Sequence, residues 1–185
     1  DSWHIGEIAV HPLNPDIALV AVLGHFWSRN SHRGIYRTQD GGKSWKQVLK
    51  IDSKTGANDV VWAADPNVVY ASMWENFPGV SGAKSSIHKS EDEGKTWIRC
   101  EQGLPADEHV GRIGLAVSQS NAQKVYALID NREDIAAGAA QVYKSIDGGK
   151  TWQRTHKTAL KFFSRIGWYF ADLYVNPQDD QEIFA

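Results

Sequence analysis

The chain of 185 residues contains one cysteine and one methionine. A lone thiol, Cys100, excludes an internal disulfide framework and any metal site built from several cysteines. The 7 histidines are scattered, with no His-x-His or Glu-x-x-His spacing, so no metal ligand set is expected. No apolar run is long enough to cross a bilayer, which argues against membrane insertion, and no signal peptide is visible. Neither charge dominates: 20 basic side chains face 22 acidic ones, for a net charge of -2. Nucleic-acid binding needs a basic surplus and is not expected. Gly41-Gly42-Lys43-Ser44 lacks the spacing and following helix of a phosphate loop, and no cofactor is expected. What the chain does have is 8 tryptophans and 16 glycines.

Three of those tryptophans close a repeat. Thr38-Gln39-Asp40-Gly41-Gly42-Lys43-Ser44-Trp45 recurs as Ser90-Glu91-Asp92-Glu93-Gly94-Lys95-Thr96-Trp97 and as Ser145-Ile146-Asp147-Gly148-Gly149-Lys150-Thr151-Trp152. The interval is roughly fifty residues, a period typical of radially repeated units. Each copy lies between short β-rich runs such as Gly34–Arg37 and Trp45–Leu49, so each reads as the turn of a hairpin. The carboxylates of Asp40, Asp92 and Asp147 accept backbone N–H bonds across the turn, and Gly42, Gly94 and Gly149 supply positive φ. Trp45, Trp97 and Trp152 cover the hairpin. These are structural staples and poor catalysts.

Two further strands precede each hairpin. They are expected at about Ile5–His11 and Ile17–Leu23, then Asp59–Ala63 and Val68–Trp74, then Arg112–Val117 and Val125–Asp130. A last pair is expected within Trp168–Val175 and Glu182–Ala185. Four strands per repeat with no helical period predict an all-β fold: a β-propeller of four-stranded antiparallel blades. Blade one is assigned to 1–56, blade two to 57–109, blade three to 110–167 and half of a fourth to 168–185. An incomplete ring leaves broad blade faces open. The chain is therefore read as a segment whose remaining blades come from a larger polypeptide or another chain.

The boxes, with "GRIGLAVSQSNAQKVYALID" and "IYRTQDGGKSWKQVL", resemble the BNR or Asp-box propeller superfamily. That superfamily includes sialidases, xyloglucanase-type glycosidases, sortilin-type receptor ectodomains and photosystem assembly factors. The resemblance covers essentially the whole chain. It implies ligand binding on the face opposite the boxes, and a periplasmic, cell-surface or secreted location. The box specifies the fold far more than the activity.

On that opposite face the second-to-third strand connections are long: Gly24–Arg33, Glu75–Lys84 and Asn131–Gly138. They offer His25, Trp27, Arg29, Trp74, Glu75, Phe77, Asp130 and Arg132 as ligand contacts, joined by Arg112 on an inner strand. Flat rings stack on the C–H faces of sugars, while amides and cations bond their hydroxyls. The competing reading makes the aromatics packing between blades. Aligning the inner strands places Glu7, Asp59, Gly114 and Asp172 in one column, at the strand end nearest the long loops. Paired carboxylates serve glycoside hydrolysis, which makes Asp59, Asp172 and Glu7 the candidate catalytic groups. They could equally hold a cation through oxygen ligands, or be solvated polar groups at a channel mouth. The sialidase pattern fits poorly: Arg112-Ile113-Gly114 and Arg165-Ile166-Gly167 lack the Arg-Ile-Pro proline, and Tyr169 has no glutamate partner.

Three functions follow. The first is an extracytoplasmic propeller segment binding glycans or protein surfaces through its long loops. The alternative is a glycoside hydrolase, sialidase- or xyloglucanase-like, whose cleft other blades complete. The third is an assembly scaffold.

Overall fold

The computed structural model describes residues 2–133, 140–158, 160 and 166–185. Asp134–Gly138 of the third long loop and Arg165 lie outside the described residues. Twelve strands form three four-stranded antiparallel sheets, each in sequence order. The first holds β1 (His4–Val10), β2 (Ala18–Gly24), β3 (Gly34–Thr38) and β4 (Lys46–Leu49). The second holds β5 (Thr55–Trp62), β6 (Val69–Glu75), β7 (Ser86–Ser90) and β8 (Ile98–Cys100). The third holds β9 (Val110–Val117), β10 (Val125–Asn131), β11 (Ala140–Ser145) and β12 (Gln153–Arg154). A two-stranded sheet, β13 (Tyr174–Val175) with β14 (Ile183–Phe184), follows. This is the all-β partial propeller that the repeat predicts.

Each sheet buries a face against the next. Leu19, Ala21 and Ile35 of the first sheet pack on Val60, Val69 and Met73 of the second. Tyr70, Ile87 and Cys100 then meet Ile113, Leu115 and Trp152 of the third. Leu128 and Val142 in turn cover Ala171 and Leu173. The apolar stripes are continuous because inward positions recur with the strand period of two. On the first sheet, by contrast, Ile8 and Val10 stay more than half exposed.

The boxes adopt one geometry three times. Ser90 Oγ donates to Asp92 Oδ1 at 2.7 Å and accepts the Gly94 N–H at 2.9 Å. Thr96 donates its N–H to Asp92 Oδ1 and its hydroxyl to Asp92 Oδ2, and Trp97 Nε1 donates to Gly94 O. Thr38, Asp40, Gly42, Ser44 and Trp45 repeat this pattern, as do Ser145, Asp147, Gly149, Thr151 and Trp152. Gly41, Glu93 and Gly148 donate their N–H groups to Asp16 O, Asn67 O and Gln123 O. Every box is thereby tied to the first turn of its own sheet, and both turns share one face. Glu93 takes the left-handed position, φ 62°, that glycine fills in the other copies. Arg37 of the preceding sheet holds it, with Nε on Glu93 O at 2.9 Å and Nη2 on its carboxylate at 3.2 Å.

Two expectations need correcting. Residues 168–173 are not strand: Tyr169 and Phe170 both donate N–H bonds to Ile166 O, forming a turn. Arg112 Nη1 occupies Tyr169 O at 2.7 Å, so that carbonyl is taken by a side chain rather than a ladder partner. Second, Glu7, Asp59 and Gly114 do not lie at the loop-side strand end. They sit midway, opposite Ala21, Ser72 and Leu128. The inner strands begin earlier than their alternation suggests, β5 at Thr55, where Asp52 Oδ1 accepts the Lys54 and Thr55 N–H groups. Asp172 precedes β13.

Candidate functional site

The inner strands approach one another closely. A β-carbon on Gly6 would lie 2.1 Å from Asn58 O, and one on Gly114 would lie 1.9 Å from Ala171 O. Register shifts between Ile5 and Glu7 and between Ala57 and Asp59 leave Gly6 and Asn58 unpaired on their own strands. Such bulges re-aim neighbouring side chains. Asn58 Nδ2 crosses to Ile113 O at 3.1 Å, and Ser72 Oγ reaches the same carbonyl at 2.7 Å.

Asp59 follows the second bulge and crosses to the next sheet, where its Oδ2 accepts the Leu115 N–H at 2.8 Å. It borders a cavity of about 360 Å³ that Glu7, Arg112 and Asp172 also line. Burial pushes its carboxyl up to about 6; the Leu115 N–H opposes the rise, and the Glu7 carboxylate adds to it. Arg112 spans the far side, with Nη2 on Asp172 Oδ1 at 3.3 Å. Its Nε is buried without a partner among the described residues. Glu7 Oε1 accepts only the adjacent Ile8 N–H among the bonds found for its carboxylate in the described residues. The cavity continues along Trp62, Val117 and Val175 toward the box-bearing face, rather than toward the long loops.

The loop candidates separate into exposed and buried groups. Trp27 is 81% exposed and Arg29 is exposed. His25 is half-buried, its ring 4.5 Å from that of Trp3. Trp74 is fully buried and donates Nε1–H to Val80 O at 2.9 Å, so its indole supports the loop. Glu75 accepts the Lys84 N–H, closing its own loop, and Phe77 is half-buried. Asp130 is buried in an ion pair with Arg132 at 3.3 Å. Burial raises its carboxyl, and Arg132 opposes that.

Residue type and position alone missed Arg33, one of the largest fully buried side chains, whose guanidinium gathers the first long loop. They also missed Trp3 and Trp168. The Phe26 ring lies 5.7 Å from Trp74 and 6.1 Å from Trp168, joining the first sheet to the second and to the last segment. Among the described residues no group of His, Cys, Asp and Glu is arranged to hold a metal ion.

Known proteins share this architecture. A xyloglucanase from Paenibacillus sp is 28% identical over 178 residues, covering 82% of this chain and 16% of the relative. A sialidase from Bacteroides fragilis (strain YCH46) is 26% identical over 138 residues, covering 72% of this chain and 24% of the relative. The crystal structure of the Niastella koreensis GH74 enzyme superposes with a TM-score of 0.73 at 17% identity, covering 97% of this chain and 27% of that one. The chain thus spans less than a quarter of the length of both curated relatives. The family model described as Sortilin, neurotensin receptor 3 matches residues 33–184, and the chain belongs to this Sortilin-Vps10 family of BNR-repeat propellers.

Proposed function

We propose that the chain forms part of a glycoside hydrolase propeller, with Asp59 as the general acid. The observation that carries this reading is the shared cavity of Glu7, Asp59, Arg112 and Asp172, with Asp59 raised to about 6. A carboxyl that keeps its proton near neutrality can protonate a glycosidic oxygen as the C–O bond breaks. Asp172, oriented by Arg112, is the partner: it attacks the anomeric carbon, or takes a proton from the water that does. Glu7 sustains the protonated state of Asp59 through its charge. The xyloglucanase and sialidase relatives support carbohydrate as the substrate class. Other blades complete the cleft, and the location this reading requires is extracytoplasmic.

The second reading, a module binding glycans or protein surfaces through its long loops, is favoured by the exposure of Trp27. The two separate in one experiment. The complete polypeptide is incubated with xyloglucan and with sialylated oligosaccharides, and new reducing ends or free sialic acid are measured for wild type and Asp59→Asn. The hydrolase reading expects cleavage of one substrate and its loss in the variant. Equal rates for the two proteins, or binding without cleavage, would sink it.

A further inference from the structure

Outside the carboxylate cavity, one buried cation makes no direct ion pair among the described residues; the Asp52 carboxylate acts on it only at longer range, and burial outweighs it. Arg33 is 0% exposed, and its bonding partners are carbonyls and an amide. Nη1 donates to Leu23 O at 2.5 Å and to Asn76 Oδ1 of the second sheet's loop. Nη2 donates to His25 O, and to Ser28 O at 3.0 Å. Burying a guanidinium is costly unless its donors are matched; Nη1 and Nη2 find acceptors while Nε has none among the described residues, so the terminal fork holds only if the loop keeps one shape. Gly24 completes the design: its φ is 79°, and a β-carbon there would come within 2.7 Å of Arg33 Cγ. The Arg33 carbonyl in turn accepts from Gln47 Nε2, and Asn30 N–H reaches Ser53 O, so the loop is fastened from behind.

The two carbonyls held by Nη2 bracket Phe26 and Trp27. Phe26 is directed inward, against His4, Trp74 and Trp168. Trp27 is left 81% exposed, its ring tilted against Phe26 at 5.5 Å, and Trp3, 68% exposed, lies tilted against His25 at 4.5 Å. Ser28, Arg29 and His32 of the same loop are also exposed. Exposed flat rings on and beside a loop that also carries exposed hydrogen-bonding groups suit a sugar chain, with its C–H faces and hydroxyls, better than a purely apolar partner surface.

We propose that Trp27 and Trp3 form a polysaccharide-binding platform apart from the carboxylate cavity, and that Arg33 is the positioning residue that holds it. The proposal rests on the carbohydrate-active reading above but not on catalysis. Because the loop is fixed before the ligand arrives, little ordering cost is left for binding. Lysine in place of Arg33 keeps the charge but loses the fork, so the platform loosens while the sheet remains.

The test uses the complete polypeptide with soluble xyloglucan, measuring retardation in polysaccharide-containing native gels and KM on polymer and on a short xyloglucan oligosaccharide. Arg33→Lys and Trp27→Ala each weaken polymer binding by about five- to tenfold, the loss of one stacked ring. KM rises more on polymer than on the short substrate. Asn76→Ser, which removes only the bond between sheets, shows a smaller change in the same direction, and covers the case in which Arg33→Lys does not fold. Equal polymer affinity in wild type, Trp27→Ala and Asn76→Ser overturns the platform. Wild-type binding without cleavage sinks the hydrolase reading and leaves the platform standing; wild type that neither binds nor cleaves overturns both.

Discussion

Asp92 and Asp59 each accept backbone N–H bonds, and both feel burial, yet they settle on opposite sides of the ordinary aspartate range. At Asp92 burial raises the carboxyl, but the Thr96 hydroxyl and N–H, the Ser90 hydroxyl and the Lys95 N–H outweigh it and bring it to about 2. At Asp59 burial is again the largest influence. Only two backbone donors, Leu115 and Val60, and more distant Arg112 oppose it, Glu7 reinforces it, and the carboxyl rises to about 6. Asp40 and Asp147 follow Asp92 to about 2, led by the hydroxyls of Ser44 and Thr151. Depth of burial and the donors aimed at the charge decide the outcome together: Asp59 is deeply desolvated with few donors, whereas the box carboxylates lie near the surface with many. A saturated carboxylate is a bolt; one left short of donors keeps a proton to give.

The comparison breaks most visibly in catalysis. In the complete polypeptide, Asp59→Asn is expected to lower kcat on a cleaved glycan by about 10²- to 10⁴-fold, the usual contribution of a general acid. Asp92→Asn, in a box, is expected to leave kcat within measurement error once the folded fraction is matched. Steady-state kinetics of the two variants decides this, and a large kcat loss at Asp92 would erase the distinction.

Stability reads the other half. Gly114→Ala drives a methyl toward Ala171 O and is expected to cost about 3 kcal/mol, the upper end for overpacking. Ser145→Ala strands the Gly149 N–H, whose bond to Ser145 Oγ is 2.8 Å and buried, and is expected to cost about 1–2 kcal/mol. Urea midpoints measure both.

The same comparison is read by pH dependence, where the two carboxylate classes have opposite signs. Asp59 is raised, so between about 4 and 6 the folded chain binds more protons than the unfolded chain, and its contribution to stability falls as pH rises through that window. The box carboxylates are lowered, so their contribution is present above about 4 and disappears as pH falls toward 2. Asp59→Asn should flatten the profile between pH 4 and 6 and leave the acid limb in place, which midpoints measured across pH will show.

The boxes were legible in the sequence because their chemistry is local: every donor to Asp40 lies between Thr38 and Ser44. That Glu7, Asp59 and Asp172 would lie near one another was legible from their spacing from successive turns, and they line one cavity; their depth was not, since Glu7 and Asp59 sit midway along their strands and Asp172 precedes its own. The environment of Asp59 was not. It depends on a bulge at Asn58, on the Leu115 N–H fifty-six positions away and on glycines that let inner strands touch. Trp74 and Trp27 look alike as aromatics at the long loops, yet Trp74 lies next to last in β6, fully buried with its indole N–H on Val80 O, while Trp27 is exposed. Arg33 reads as one more loop cation until its acceptors are seen to come from two sheets.

The most direct test is a carboxyl-resolved ¹³C NMR titration of the complete polypeptide, with Asp59, Asp92 and Asp147 assigned by substitution. The account predicts Asp59 near 6 and both box carboxylates near 2. Asp59 titrating near 4 would contradict it, because the proton assigned to catalysis would then be absent at neutral pH.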